Sequence, residues 1–289
     1  MTSCDSSTPV TAAYQHCLKI ARSHYENFPV ASWILPRHMR LPVAAVYAFA
    51  RMADDIADEG DADNEQRIQQ LENMGRQLDA ISAGQTPDDP MYIAVADTIS
   101  RYQLPVALFH DLLSAFKQDV TRKRYDNFNE LLDYCRRSAN PVGRLLLYIY
   151  GQTDEQSLQQ SDAVCSALQL INFYQDLSQD YHEMDRIYIP QDEMTTASVS
   201  EDHIKNAISD SAMHHLMRQQ YDRARDMMLN GAPLGKTLKG RFGFEIRLII
   251  AAGLAVLDKL SRQQQDLFSR PRLSKGDAAG IAWKALRKS

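Results

Sequence analysis

Two stretches of this sequence place carboxylates where they could do chemistry together. The first is Tyr47-Ala-Phe-Ala-Arg51-Met-Ala-Asp54-Asp55-Ile-Ala-Asp58. Written on a helix, Tyr47, Arg51, Asp54 and Asp58 fall at i, i+4, i+7 and i+11, a single stripe. The second stretch carries Gln169, Asn172, Asp176 and Asp180 in a similar stripe, again with two carboxylates four residues apart. One such pair is common on a solvated helix face, where it repels by a few tenths of a kcal/mol. Here both pairs sit among apolar neighbours: Val46, Phe49 and Ile56 in one stretch, Leu170, Ile171, Phe173 and Leu177 in the other. Two facing helices that each present a carboxylate pair can hold hard divalent cations through oxygen. Mg²⁺ held this way takes its remaining ligands from water and substrate phosphates.

That ligand set suits the departure of a diphosphate. Divalent cations neutralise the leaving group so that the C–O bond of an allylic diphosphate can break. The resulting cation needs a dry apolar cavity with aromatic faces, which a helical bundle provides. Tyr47, Phe49, Phe28, Tyr134, Phe173 and Tyr174 are candidate liners, and each could equally be a core residue.

The elements that must position these groups all read as helices. From Val10 to Tyr25 apolar residues recur at helical spacing, after a polar tail over residues 1–11 that is expected to be disordered. A short helix is expected from Trp33 to Met39, and Pro42 is expected to open the first carboxylate helix, which Gly60 ends. Helices follow at Glu65–Ile81, Met91–Tyr102, Pro105–Val120 and Phe128–Tyr150, the last interrupted by Asn140-Pro-Val-Gly143. Gly151 to Gln160 reads as loop and the second carboxylate helix as Asp162–Asp180. Tyr181 to Pro190 is strand-like, and the polar run from there to Glu201 reads as a loop that could serve as a lid. Helices at Glu201–Ile208, Ala212–Leu229, Lys239–Gln265 and Lys275–Arg287 complete an all-α chain, with residues 12–289 expected as one domain. Arg122-Lys-Arg124 is a basic cluster that reads either as a solvated helix end or as a phosphate contact.

Composition excludes several function classes. With 44% hydrophobic and 24% charged residues the 289-residue chain reads as an ordinary globular protein, and a net charge of −5 argues against nucleic-acid binding. Cys4, Cys17, Cys135 and Cys165 lack metal-ligand spacing and read as idle thiols. No signal-type segment is present, and the apolar run Leu248–Leu257 is too short to span a bilayer. A cytoplasmic location follows as an expectation. Phosphate-loop, dinucleotide and metalloprotease motifs are absent, and the adjacent His214 and His215 face different directions on a helix.

Taken together, the motifs resemble the squalene/phytoene synthase family. The resemblance rests on Tyr47-Ala-Phe-Ala-Arg51 with Asp54, Asp55 and Asp58, and on Gln169, Asn172, Asp176 and Asp180. It implies an isoprenoid synthase helical bundle with a central active-site cavity and Mg²⁺-dependent chemistry on prenyl diphosphates. His24-Tyr-Glu-Asn-Phe-Pro-Val-Ala-Ser32, Tyr134-Cys-Arg-Arg-Ser-Ala-Asn-Pro-Val-Gly-Arg144 and Asn172-Phe-Tyr-Gln175-Asp176 look like the bacterial hydroxysqualene synthase branch, which works in hopanoid biosynthesis. By resemblance, Asp54, Asp58, Asn172, Asp176 and Asp180 bind metal, with Asp55 nearby and Gln169 completing the second site. Arg51, His24 and Arg270 contact phosphate, Asn27, Phe28 and Gln175 belong to the substrate site, and Tyr47 and Tyr134 face the cation.

Two departures bear on the reaction. Condensing members carry Arg immediately before the first Asp of the second motif, where this chain has Gln175. They also carry small hydroxyl residues just after the His24 position, where Tyr25 and Asn27 stand. Both changes suit an enzyme that handles one diphosphate. The resemblance thus implies ionisation of presqualene diphosphate and quenching by water, between a presqualene diphosphate synthase and a squalene-forming reductase. Peripheral membrane contact is expected because substrate and product are hydrophobic. The alternative within the family is a condensing synthase making presqualene diphosphate, squalene or phytoene from farnesyl or geranylgeranyl diphosphate. A third reading, a binding factor that has lost catalysis, would be marked by broken aspartate motifs, and both motifs here are intact.

Overall fold

The computed structural model describes residues 9–23, 34–263 and 266–287. Every regular element among them is a helix, as the sequence predicts, and they group into two compact units. One unit runs through the described residues to Thr121 and includes Arg144–Thr153. The other takes Arg122–Gly143 and the described residues from Asp154 onward.

The first unit holds α1 (Pro9–Ser23), α2 (Arg37–Asp58), α3 (Asn64–Ser82), α4 (Pro90–Tyr102) and α5 (Val106–Thr121). Helix α2 is its axis, packed against the other four. Its buried face is rich in alanine (Ala44, Ala45, Ala48, Ala53, Ala57), which combines high helix propensity with close approach of neighbours. Phe49 fills the remaining space edge-on to Phe109, with ring centroids 5.2 Å apart. Helix α2 starts at Arg37, so no separate helix ends at Met39 and Pro42 lies inside the helix rather than opening it. A proline there deprives the carbonyl of residue i−4, His38, of its donor. The Tyr102 hydroxyl supplies one, at 3.2 Å.

The turn that ends α2 is closed by one cation. Arg67 donates to the carbonyls of Ile56 and Gly60, each at 2.7 Å, and of Ala62 at 2.9 Å. Gly60 adopts φ 78°, the left-handed conformation that glycine takes without strain. Asp63 and Gln66 then form a reciprocal capping box that starts α3. Helix α1 begins at Pro9, inside the stretch expected to be a disordered tail.

Helices α6 (Phe128–Ser138), the first turn of α7 (Asn140–Tyr150), α8 (Glu155–Gln175), α9 (Leu177–Met184), α10 (Gln191–Thr196), α11 (Glu201–Lys205), α12 (Ser211–Gly231), α13 (Leu234–Thr237), α14 (Gly240–Arg262) and α15 (Lys275–Arg287) form the second unit. Helix α8 is its centre, with α12 along its length and α6, α13 and α14 against it. It starts at Glu155, within the segment expected as loop, because Asp154 caps it by accepting from the Ser157 amide at 2.9 Å. Two glycines let neighbours press closely onto it, one against its side chains and one against its backbone. A Cβ on Gly143 would meet Ser161 Oγ and, at 2.5 Å, Cys165 Sγ; one on Gly231 would lie 2.5 Å from the Gln160 carbonyl oxygen. The expected interruption at Asn140–Gly143 is therefore a helix start pressed onto α8, with Asn140 accepting from Ser166 Oγ at 2.8 Å.

Two expectations fail downstream of α8. The strand-like Tyr181–Pro190 is helical as far as Met184. Ile187 to Ile189 are then buried, with single amide bonds from Ile187 to the Lys123 carbonyl (3.0 Å) and from Gln191 to that of Tyr125 (2.9 Å) in place of a ladder. The polar run to Glu201 is also no open loop, since α10 forms there and Met194 and Val199 are buried. Cys17 and Cys135 are buried free thiols, as expected.

The close approach at Gly231 generates a test. A methyl group there overlaps backbone of α8 that cannot rotate away, so Gly231→Ala should cost about 1–3 kcal/mol. Urea denaturation followed by circular dichroism would read the loss, and an unchanged midpoint would show that the two helices are free to separate.

Candidate active site

Helix α2 is unbroken from Arg37 to Asp58, so the first stripe stands as the sequence drew it. Asp54 is half-buried and Asp58 exposed. Arg51 is engaged by three carboxylates of its own helix end. Its guanidinium lies 3.2 Å from Asp54, 2.5 Å from Asp55 and 2.5 Å from Glu59. Burial works against its charge, but the three carboxylates hold its pKa above the ordinary value. Tyr47 is half-buried on the same helix. Phe49 is fully buried against Phe109 and belongs to the core rather than to a cavity wall.

The second stripe is not one helix. Helix α8 ends at Gln175, Asp176 adopts φ −103° and ψ 10°, and α9 starts at Leu177. The i→i+4 bonds continue across the break, from the Asp176 amide to the Asn172 carbonyl (2.9 Å) and from the Asp180 amide to the Asp176 carbonyl (2.7 Å). The stripe therefore bends at its first aspartate without losing its order. Gln169 and Asn172 are half-buried on the last turns of α8.

Asp180 is 8% exposed. Burial, and then the Asp176 carboxylate, push its pKa up to about 7, against the pull of Arg186 and Arg270. Burial also raises Asp176, with Arg270 opposing. Two carboxylates in this condition require positive charge before both can ionise. Arg270 meets part of that need through a two-pronged pair with Asp176, at 2.6 Å and 3.1 Å. The loop that carries Arg270 is anchored by Gln175, whose side-chain amide donates to the Pro271 carbonyl at 2.8 Å.

Arg186, which sequence reasoning did not single out, meets more of it, although the Asp180 pKa still stands at about 7. Its amide donates to the Asp180 carbonyl (3.0 Å), while the Asp185 amide bonds to that of Tyr181 (3.0 Å) and Asp185 takes φ 54°. This turn ends α9 and returns a buried arginine toward the aspartate six residues behind it. The basic cluster holds the turn in place. Arg124 reaches Asp185 at 2.8 Å and Glu201 at 2.7 Å, and Arg122 pairs with Glu130. These ion pairs go beyond the solvated helix end that the sequence suggests.

Four aromatic rings gather beside the second stripe. Phe173 and Tyr188 stack with centroids 3.7 Å apart, and Tyr134 lies 6.1 Å and 6.0 Å from them. Tyr125 joins at 5.6 Å from Tyr134, with the Arg122 guanidinium 4.9 Å above its ring. Tyr134 and Phe173 were candidates from sequence. Tyr125 and Tyr188 were not, since one sat inside the basic cluster and the other in the strand-like run. Tyr174 points elsewhere, fully buried against Tyr221 and Gln220. His24, Asn27 and Phe28 lie outside the described residues.

The donor set fits Mg²⁺ of the kind that shares its ligands with a substrate. It consists of carboxylate oxygens with an amide, Asn172, one turn away, and at the second stripe it lacks positive charge. Among the described residues no three His, Cys, Asp or Glu side chains converge into an all-protein cage. Mg²⁺ seldom uses such a cage and is commonly held by one or two carboxylates plus phosphate and water.

Comparison with known proteins is consistent with this chemistry. A family model described as squalene/phytoene synthase matches residues 21–277. Hydroxysqualene synthase of Sinorhizobium fredii is 34% identical over 251 residues, which cover 86% of this chain and 84% of that protein. Phytoene synthase of Mycobacterium tuberculosis is 32% identical over 222 residues, covering 76% and 72%. The crystal structure of squalene synthase HpnC from Alicyclobacillus acidocaldarius matches with a TM-score of 0.83 at 33% identity, covering 89% of this chain and 96% of that one.

The turn that presents Arg186 can be tested by pH. The hydrogen bond from Arg124 holds the Glu201 carboxyl below its ordinary value of 4.5. A depressed carboxyl contributes stability that is present above its unfolded pKa and is lost as pH falls through the folded one. The stability difference between wild type and Glu201→Gln should therefore be full at neutral pH and shrink below about pH 4.5. Thermal melts across that range would measure it, and a difference independent of pH would deny the ion pair any part.

Proposed function

The chain belongs to the squalene/phytoene synthase family, and from that premise we propose that it is a hydroxysqualene synthase that ionises presqualene diphosphate and adds water. The C–O bond breaks, its electron pair leaves with the diphosphate, and the C30 cation rearranges. Water then adds, a proton is released, and the products are hydroxysqualene and diphosphate. The step is a carbon–oxygen lyase reaction rather than a prenyl transfer. It falls between an enzyme that supplies presqualene diphosphate and a reductase that converts the alcohol to squalene.

Mg²⁺, when bound, neutralises the departing diphosphate. Asp54 and Asp58 would hold it in one unit, and Asp176, Asp180 and Asn172 would hold it in the other, with Asp55 and Gln169 supporting the two sets. Arg270 is 37% exposed and, among the described residues, is held by side-chain oxygens of Asp176, so it can exchange that carboxylate for phosphate. Arg51 stands in the same relation to Asp54, Asp55 and Glu59. Arg186 pulls against the burial that favours a protonated Asp180. Tyr134, with Phe173 and Tyr188 behind it, offers the cation an aromatic face. Tyr47 serves the same purpose on α2.

The observation that carries the choice of branch is the side chain at 175. In a condensing synthase an arginine before the second motif would add a cation for a second diphosphate. Here Gln175 is neutral and already committed to the Pro271 carbonyl. The similarity to a phytoene synthase supports the condensing alternative less well, because it leaves that substitution without a purpose.

A product assay tests the reading. Purified protein with Mg²⁺ and no NADPH should convert presqualene diphosphate to a C30 alcohol, seen by gas chromatography–mass spectrometry, and should leave farnesyl diphosphate untouched. Presqualene diphosphate formed from farnesyl diphosphate would make this a condensing enzyme. Asp54→Asn and Asp176→Asn should each lower turnover at least about a hundredfold with the far-UV spectrum unchanged. Near-wild-type turnover in both would sink the metal assignment.

A further inference from the structure

The second unit carries a surface that the proposed reaction does not use. On α15, Trp283 and Leu286 are 59% and 54% exposed, and their i, i+3 spacing puts them on one face. The opposite face seats the helix. Ala285 is buried, and its carbonyl accepts from Arg247 of α14 at 3.0 Å. Arg247 also donates to the Gly235 carbonyl beside α13, at 2.6 Å, so a single guanidinium fastens α13, α14 and α15 together. An apolar cleft lined by Ile250, Ala251 and Leu254 lies at this junction, with Lys236 and Lys284 at its walls.

The charge of this region opposes that of the rest of the chain. Residues 232–250 and 275–287 contain seven Lys and Arg against two Asp and Glu, in a chain whose net charge is −5. One of the two acids, Asp277, is already engaged by Lys259 at 2.9 Å. Lys236, Lys239, Arg241 and Lys284 are exposed. We propose that the exposed face of α15, with Trp283, Lys284 and Leu286, docks the protein on an anionic lipid bilayer surface, aided by the basic residues of α13 and the start of α14 in the same unit. Tryptophan is the side chain most at home at the headgroup level, and lysines beside it can reach lipid phosphates while their stems cover apolar surface. Among the described residues no helix is long and apolar enough to cross a membrane, and docking of this kind stays in the interface.

A second copy of the chain is a poorer occupant. A two-fold interface here would bring the basic rims of both copies together. Two exposed apolar side chains also fall far short of the roughly 1,600 Å² of a stable interface.

The test uses the full chain and does not depend on the substrate assignment. The protein has two tryptophans, so Trp33→Phe leaves Trp283 as the reporter. With vesicles of phosphatidylglycerol and phosphatidylcholine, the protein should sediment and the Trp283 emission should shift to the blue. High salt should reverse both effects, and vesicles of phosphatidylcholine alone should produce neither. The double variant Trp283→Ser with Leu286→Ser, and separately Lys284→Glu, should weaken binding at least about tenfold. Their turnover in detergent solution should match wild type. Failure to bind the anionic vesicles, or equal binding by the variants, would overturn the proposal. So would a dimer, seen by light scattering, that the double variant dissolves.

Discussion

Two carboxylates four residues apart, one of them buried, resist ionising together, and much of the second unit is arranged around that resistance. Asp180 lies 8% exposed and Asp176 sits one turn before it at a break in the helix. Three arginines answer the demand from different directions. Arg270 comes from the loop after α14 and pairs with Asp176 directly. Arg186 arrives through the turn that ends α9 and acts on Asp180. Arg124 does not touch either carboxylate, yet it clamps Asp185, the left-handed residue on which that turn depends. A non-glycine residue in that conformation is held there by its surroundings, and the guanidinium is the most evident of them.

The first pair solves the same problem differently because its helix differs. Helix α2 is continuous, and its acids cluster at the C-terminal end, where the helix dipole already disfavours negative charge. Exposure relieves Asp58, and the fork of Arg51 gathers Asp54, Asp55 and Glu59. Arg67 takes up carbonyls at and beyond the same helix end. In each unit, therefore, arginines stand where a divalent cation and a diphosphate would both have claims. The carboxylates are the groups that a metal would seek, and Arg51 and Arg270 are the groups that a phosphate would seek. Pairing them with each other keeps both sets ordered without committing either permanently.

The aspartate stripes were legible in the sequence because helical spacing is a local property and survives even the bend at Asp176. The helical class and most helix positions were legible for the same reason. What escaped depended on contacts distant in sequence. Pro42 reads as a helix opener, and only the Tyr102 hydroxyl, from another helix, makes it tolerable inside one. Arg186 has nothing in its neighbourhood to mark it, because its partner is reached through a turn rather than along a face. Ile187-Tyr-Ile189 looks like a strand because β-branched and aromatic residues follow one another, yet the three are buried without a ladder. Phe49 and Tyr174 were indistinguishable in the sequence from Phe173, since which face of a helix meets the core is decided by the elements that pack on it.

The aromatic cluster shows how far the geometry constrains the fate of a cation. Phe173 and Tyr188 are stacked at 3.7 Å with planes 4° apart, so the faces they share are closed to any ligand. Tyr125 turns toward Arg122, whose guanidinium already occupies the space above its ring. Tyr134 lies tilted between these partners, at 32° to Tyr188 and 35° to Phe173. It is tilted against each of its three ring partners and lies flat on none of them. A cation drawn to this wall would be stabilised at one place rather than along its whole length. Rearrangement moves positive charge along a carbon chain, so localised stabilisation of this kind favours one position for the charge when water arrives. The same packing that keeps the rings dry thus offers a physical route to a single product alcohol.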